Sequence, residues 1–402
     1  MEKQSFYRGL NKQDQLLLTS SFFTFFISGI YAMVFGSLLP YLSESYQLSD
    51  TMSGLLVSFH QAGNLLAGLI AGILPIYLGK KRSILFLCSF VLLGFLMIIF
   101  TGQPLFLLLA FFAIGISRGS ISNFDNQMVN DVTKSSPAAL NLLHGLFAIG
   151  ALLAPFVVMI PTTVFGNQAW KISCGILFLL ALLSQGALFK MPLKDEPVPI
   201  EKKQTQISYA FFKDNYFWIT VMILFFYLCV EAAVSSWLVT YLVDSHILSI
   251  GQSQTIASLL WFAILIGRLI CGFYGDRLKR SHLLLIISLG TIFFYFLLLS
   301  TQRFALISFA TLGLGISMGG IYPTAMTVAG PSISAYPMAM GWLLIMGGIG
   351  GIAMPFVTGI LSSNYGIFAG MLAIIGALAF MLISVSLYAW FEKNKKPKLD
   401  QL

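Results

Sequence analysis

The chain has 402 residues, 57% of them hydrophobic and 9% charged, with a formal net charge of +8. An ordinary soluble domain carries about 25% charged residues, so this composition cannot cover a water-facing surface and points to an exterior that meets lipid. The four cysteines, Cys88, Cys174, Cys229 and Cys271, stand in apolar runs without paired spacing, so they are read as small apolar residues and not as disulfides or metal ligands. No CxxC, HExxH or GxxxxGK pattern occurs; no metal, cofactor or ATPase chemistry is indicated, and the chain is not expected to be an enzyme.

A bilayer core needs about 20 apolar residues per helix. The first apolar run, 16–42, is too long for a signal-peptide core and has no small-residue cleavage site after it. Further spans follow at 52–78, 83–101, 104–131, 137–161 and 168–190. A polar stretch, 191–213, carries Lys194, Asp195, Glu196, Pro197, Pro199, Glu201, Lys202 and Lys203 and reads as a solvated linker. Six more spans follow at 214–243, 250–275, 282–300, 303–329, 335–361 and 365–391. The expectation is an all-α membrane protein of twelve transmembrane helices, with a six-helix bundle at 1–190, a linker at 191–213 and a second bundle at 214–402.

The charges orient these spans. With the N-terminus in the cytoplasm, nineteen of the 23 Lys and Arg fall in cytoplasmic segments, while Lys171 and Arg303 lie outside and Arg118 and Arg268 lie within spans. This is the positive-inside pattern of a cell-membrane protein with both termini cytoplasmic. It accounts for the net charge, so nucleic acid is not an expected partner; the expected partners are the bilayer and a small solute, and the expected state is a monomer.

Adding 200 to the residue number lays one half of the chain over the other. Gly115-Ile116-Ser117 and Gly119 meet Gly315-Ile316-Ser317 and Gly319. Gly150, Pro155, Phe156 and Val157 meet Gly350, Pro355, Phe356 and Val357, and Gly72 meets Gly272. Glycines and a proline in register indicate duplication. Two halves related by an axis along the membrane normal can enclose a site near the midplane and rock around it.

With these features the sequence resembles the major facilitator superfamily over nearly its whole length. That family carries a loop motif, G-x-x-x-D-R-x-G-R-[RK], between its second and third helices, often echoed between the eighth and ninth. The echo here is Gly272-Phe273-Tyr274-Gly275-Asp276-Arg277-Leu278-Lys279-Arg280; the first copy keeps Gly72, Gly79, Lys80, Lys81 and Arg82 but has Ile76 in place of the Asp. The resemblance implies that this loop is a conformational gate of charge pairs, weaker or differently built in the first half. A narrower resemblance to the fucose/glucose–galactose branch rests on Ile321-Tyr322-Pro323-Thr324, on Gly347 to Gly351, on Leu140 to His144, and on Asn126, Glu231, Trp237 and Tyr241. It implies sugar uptake coupled to a cation, although the proton-carrying carboxylate positions of that branch correspond to Gly36 and Ser122 here.

Ionisable side chains at bilayer depth cost at least ~2.5–3.5 kcal/mol on insertion scales and are functional candidates by default. They are Arg118, Asp125, Glu231 and Arg268, with His144 as a titratable extra. Glu231, six residues before Trp237, suits a polyol, a cationic substrate or a proton; the competing reading is a structural ion pair with Arg268. Asp125, Asn126, Asn141 and His144 fall at one depth on neighbouring antiparallel spans and are expected to form a polar cluster for substrate or a coupling H+ or Na+. Arg118 either binds an anionic group or neutralises a carboxylate. His60, Gln61 and Asn64 form a weaker polar stripe, and Trp261 and Tyr322 are candidate cavity aromatics. Asp131 and Lys134 are expected in solvent at the membrane edge. The reading these residues favour is a secondary transporter importing a sugar or similar metabolite. A drug or metabolite exporter of the same architecture and a non-transporting sensor are the alternatives.

Overall fold

The computed structural model describes residues 10–134, 136–193, 210–330 and 336–394. Every regular element among them is helical: α1 (Lys12–Met33), α2 (Phe35–Tyr46), α3 (Asp50–Leu78), α4 (Lys80–Phe100), α5 (Pro104–Thr133), α6 (Pro137–Phe165) and α7 (Trp170–Lys190), then α8 (Asn215–Asp244), α9 (Ile250–Tyr274), α10 (Arg280–Leu299), α11 (Phe304–Gly319), α12 (Ile321–Val328), α13 (Pro337–Tyr365) and α14 (Ile367–Asn394), besides short 3-10 turns. Twelve of these stretches are long and apolar enough to cross a membrane. Most of the expected linker, 194–209, lies outside the described residues.

Two expected spans are broken. The run 16–42 divides at Val34 into α1 and α2, and the run 303–329 divides at Gly320 into α11 and α12. The second break has a direct cause: Pro323 has no N–H to donate to the carbonyl of Gly319, four residues earlier, and its ring crowds that carbonyl. Elsewhere local chemistry sets the ends. Ser49 caps α3 by accepting from the Met52 N–H, and Ser249 caps α9 in a reciprocal capping box with Gln252. Gly166 and Gly366, 200 apart, end α6 and α13 with φ of 84° and 85°, a region that costs an L side chain but not glycine.

The apolar side chains form two buried clusters. One runs from Leu17 to Met191 and the other from Phe211 to Tyr388, the latter joined by Ala151 from the first half. The 200-residue repeat is present in the packing. A Cβ on Gly115 would overlap the carbonyl of His60, and one on Gly315 would overlap that of Leu260; Gly119 and Gly319 press likewise on Asn64 and Ile264. Small residues thus let α5 lie on α3 and α11 lie on α9 in the same register.

The ends of the bundle differ. At the face opposite the chain termini, α3 meets α13: Ser58 Oγ donates to the Ile352 carbonyl at 2.6 Å, Ser362 donates to the Asp50 carboxylate, and Thr51 binds Ser363 through both its N–H (2.8 Å) and its hydroxyl (2.9 Å). Gly54 packs on the Pro355 backbone, Gly359 on that of Asp50, and Gly36 of α2 on Ser235 of α8. At the face bearing the termini the halves leave a cleft of about 570 Å³ between α6, α9, α10 and α12.

Candidate functional site

A chain of cavities runs from that cleft to the middle of the bundle. The central one, about 350 Å³, is lined by Gln61 and Asn64 of α3, Arg118, Ser122 and Asn123 of α5, Glu231 of α8, and Tyr322 of α12. Tyr322 also borders the open cleft. Deeper in, a pocket of about 60 Å³ shares Gln61, Arg118 and Glu231 and adds His60, Ser235 and Trp261.

Three partly buried charges organise the centre. Arg118 Nη1 donates to Gln61 Oε1 at 3.1 Å. Glu231 Oε1 lies 3.8 Å from Arg268 Nη2 and accepts from the Tyr227 hydroxyl at 2.8 Å. Tyr227 sits four residues before Glu231, one turn along the same face of α8, and its ring lies 6.3 Å from that of Tyr322. The ion pair with Arg268, an open alternative in the sequence, is therefore present, and Glu231 faces the cavity while it is paired.

Trp237 does not belong to this group. Its indole is 0% exposed, donates to the Pro355 carbonyl at 3.1 Å and lines none of these cavities. Six residues along a 3.6-residue helix is about 240° of rotation, which carries Trp237 to another face of α8 than Glu231. The aromatics beside Glu231 are Tyr227, Tyr322 and Trp261.

The expected cluster on α5 and α6 divides in two. Asn126 Oδ1 and His144 Nε2 are 3.1 Å apart, and His144 with Asn141 lines the open cleft. Asp125 lies elsewhere: it is 1% exposed, and its Oδ2 accepts from the Thr24 hydroxyl of α1 at 2.7 Å. Asp125 is turned to Thr24 of α1 and Asn126 to His144 of α6, so here the two neighbours have different partners. Asp125 Oδ1 is buried without a partner at hydrogen-bond distance among the described residues, and Ser21 of α1 lies beside the carboxyl.

The loop-motif residues tie helices together within each half. Lys80 pairs with Asp131 at 3.3 Å; Asp131 is exposed, as expected at the membrane edge, and is an ion-pair partner as well. Arg280, at the equivalent position 200 residues on, donates to the Thr327 carbonyl at 3.2 Å. Arg277 stacks on Tyr274 at 5.0 Å, Arg82 is exposed, and Gly72 and Gly272 have open space where a Cβ would be. The Asp276 side chain lies outside the described residues.

Sequence reading missed Thr24, Tyr227 and the Asp50–Ser362 contact, since hydroxyls in apolar helices carry little signal until their partners are known. The spacing Gly115-x-Ser117-x-Gly119 matches a nucleophile elbow in letters only. Ser117 is buried inside α5 and donates to the Cys88 carbonyl at 2.9 Å, whereas such an elbow stands at an exposed strand-to-helix turn.

Comparison with known proteins agrees with this architecture. The family model described as Major Facilitator Superfamily matches residues 21–332 and 247–401. Among curated relatives, the protein TsgA homolog of Buchnera aphidicola is 22% identical, covering 96% of this chain and 99% of its own length. The glucose/mannose transporter GlcP of Bacillus subtilis is 23% identical over 93% of this chain and 94% of its own. Among solved structures, a bacterial homolog of the human lysosomal transporter Spinster, in an inward-facing and occupied conformation, superposes with a TM-score of 0.73 at 14% identity, covering 97% of this chain and 98% of its own.

Proposed function

This chain belongs to the Major Facilitator Superfamily, and from that premise we propose that it is a secondary active transporter that carries a small polar solute across the cell membrane by alternating access. The observation that carries the proposal is the central cavity: it lies between two homologous halves, is lined by Arg118 and Glu231, opens at one face and is sealed at the other. Its volume of about 350 Å³ falls at the lower end of the usual range for small-ligand sites, roughly 300–1,000 Å³. The glucose/mannose transporter among the relatives supports a sugar or sugar-like metabolite as the solute. The lysine and arginine asymmetry supports cytoplasmic termini, which makes this conformation inward-open.

In this reading Glu231, Tyr322, Trp261 and Arg118 bind the solute at the centre, and Asn126, Asn141 and His144 line its path to the cytoplasm. Asp125 couples transport to H+ or Na+. Thr24 Oγ1 has three acceptor oxygens around it, the carbonyls of Ser20 (2.9 Å) and Ser21 (3.1 Å) and Asp125 Oδ2 (2.7 Å), but only one proton to give. If that proton goes to the α1 backbone, Asp125 must carry its own. If it goes to Asp125, the carboxylate is ionised in a dry site and suited to a small cation. The two arrangements differ by one proton on this carboxyl, which supports it as the group that gains and loses a coupling ion.

The test is uptake into proteoliposomes of purified protein under an imposed pH or Na+ gradient. Accumulation of a labelled hexose or hexose derivative above its equilibrium level is expected. No counterflow with any member of a broad panel of sugars, sugar acids and nucleosides, by protein that is monodisperse and folded, would defeat the transport reading.

A further inference from the structure

Resting on the transport reading, we infer that the central cavity selects a solute bearing a carboxylate or similar anionic group, so that its substrate is a sugar acid or related organic anion and not a neutral sugar. The charges lining the route carry this. Two guanidiniums, Arg118 and Arg268, meet one carboxylate, Glu231. That carboxylate is engaged by Arg268 at 3.8 Å and by the Tyr227 hydroxyl at 2.8 Å. Arg118 has one hydrogen bond among the described residues, to the neutral Gln61 amide. A guanidinium presents five N–H donors in a fixed fork that matches a carboxylate, and most of this fork is uncommitted at a cavity wall.

Among the described residues that line the central cavity, Glu231 is the one acid. Asp125 sits behind the cavity wall on Thr24 of α1 and lines none of the cavities. The approach has the same sign: the open cleft is bordered by Arg268 and Arg280, with no carboxylate among its described lining residues. A cationic solute would meet excess positive charge among the described residues that line the path. A neutral polyol would leave two guanidiniums to share the single carboxylate of Glu231, which acts on Arg118 as well as on Arg268, and one partly buried positive charge would stay unbalanced. An anion fits both the approach and the centre, and potentials of one sign in a low-dielectric cleft concentrate ligands of the other.

The experiment compares matched solutes on the purified wild-type protein at constant ionic strength. Thermal stability is titrated with glucuronate, galacturonate, gluconate and lactate, and with glucose and galactose. Saturable stabilisation by at least one acid, with weaker or no stabilisation by the parent sugars, is expected. Arg118→Gln should weaken acid binding about tenfold or more, the scale of a lost charge-assisted hydrogen bond, and Arg118→Lys should keep part of it. Glucose or galactose stabilising the wild type as well as the acids overturns the inference. So does failure of all four acids, or unchanged acid affinity in Arg118→Gln; should that variant not fold, the wild-type comparison decides. Proteoliposome uptake separates the two readings. An acid that binds but is never carried refutes transport and keeps the anion site, whereas a neutral sugar carried without competition from any acid does the reverse.

Discussion

Single side chains at the centre of this protein carry paired duties. Glu231 is held by Arg268 and Tyr227 while facing the cavity, so a change at Tyr227 tests orientation separately from charge. Tyr227→Phe removes one hydrogen bond to a charged acceptor, worth about 1.5–3 kcal/mol. The expected result is a folded protein with a lower thermal midpoint and weaker solute binding; unchanged binding would remove Tyr227 from the positioning of Glu231. Asp125→Asn tests coupling. It keeps the shape of the buried site and its bond to Thr24 but cannot exchange a proton or hold a cation. Exchange of solute across the membrane should persist while gradient-driven accumulation is lost. Full accumulation by Asp125→Asn would take this residue out of coupling. The residue types were legible as ionisable groups in lipid, but their partners were not. Glu231 with Tyr227 follows a helical repeat that can be read after the fact, whereas Thr24 lies 101 positions from Asp125 and nothing local points to it.

At the scale of helices, glycine register decides which elements touch. Gly115 and Gly315 occupy equivalent places, each against the backbone of the helix two before its own. Gly115→Val forces those backbones apart, and overpacking of this kind costs about 1–3 kcal/mol or more. A clearly lowered thermal midpoint is expected for Gly115→Val and for Gly315→Val alike. Gly272→Ala, where the added Cβ meets open space, should fold like the wild type. Equal stability of all three variants would contradict the packing role of the repeat. Twelve apolar runs and the aligned glycines could be read from one dimension because each depends on length, composition and spacing. The interruption at Gly320 could have been suspected from Pro323, but the one at Val34 shows only in the folded chain.

For the whole molecule, the sealed face is a lock between halves made by α3 and α13. Thr51 and Ser363 meet through a hydroxyl pair at 2.9 Å, close enough for a disulfide between cysteines placed there. In a Cys271→Ala background, which removes the half-buried thiol of the open cleft, Thr51→Cys with Ser363→Cys should cross-link under mild oxidation and arrest transport, with activity restored by reductant. Undiminished transport by fully cross-linked protein would show that this face need not open, against alternating access.

By itself the sequence determined a twelve-helix, duplicated membrane protein and its in-membrane charges, because apolar length, charge asymmetry and glycine register are properties of the chain taken in order. Only the tertiary structure decided that Glu231 answers Arg268, that Asp125 turns from the cavity to Thr24, that Trp237 is buried against Pro355, and that two arginines meet one carboxylate along the path. Those outcomes depend on which faces of helices distant in sequence meet. A rotation of about 100° per residue places neighbours in the chain in different environments, and only packing brings distant residues into one.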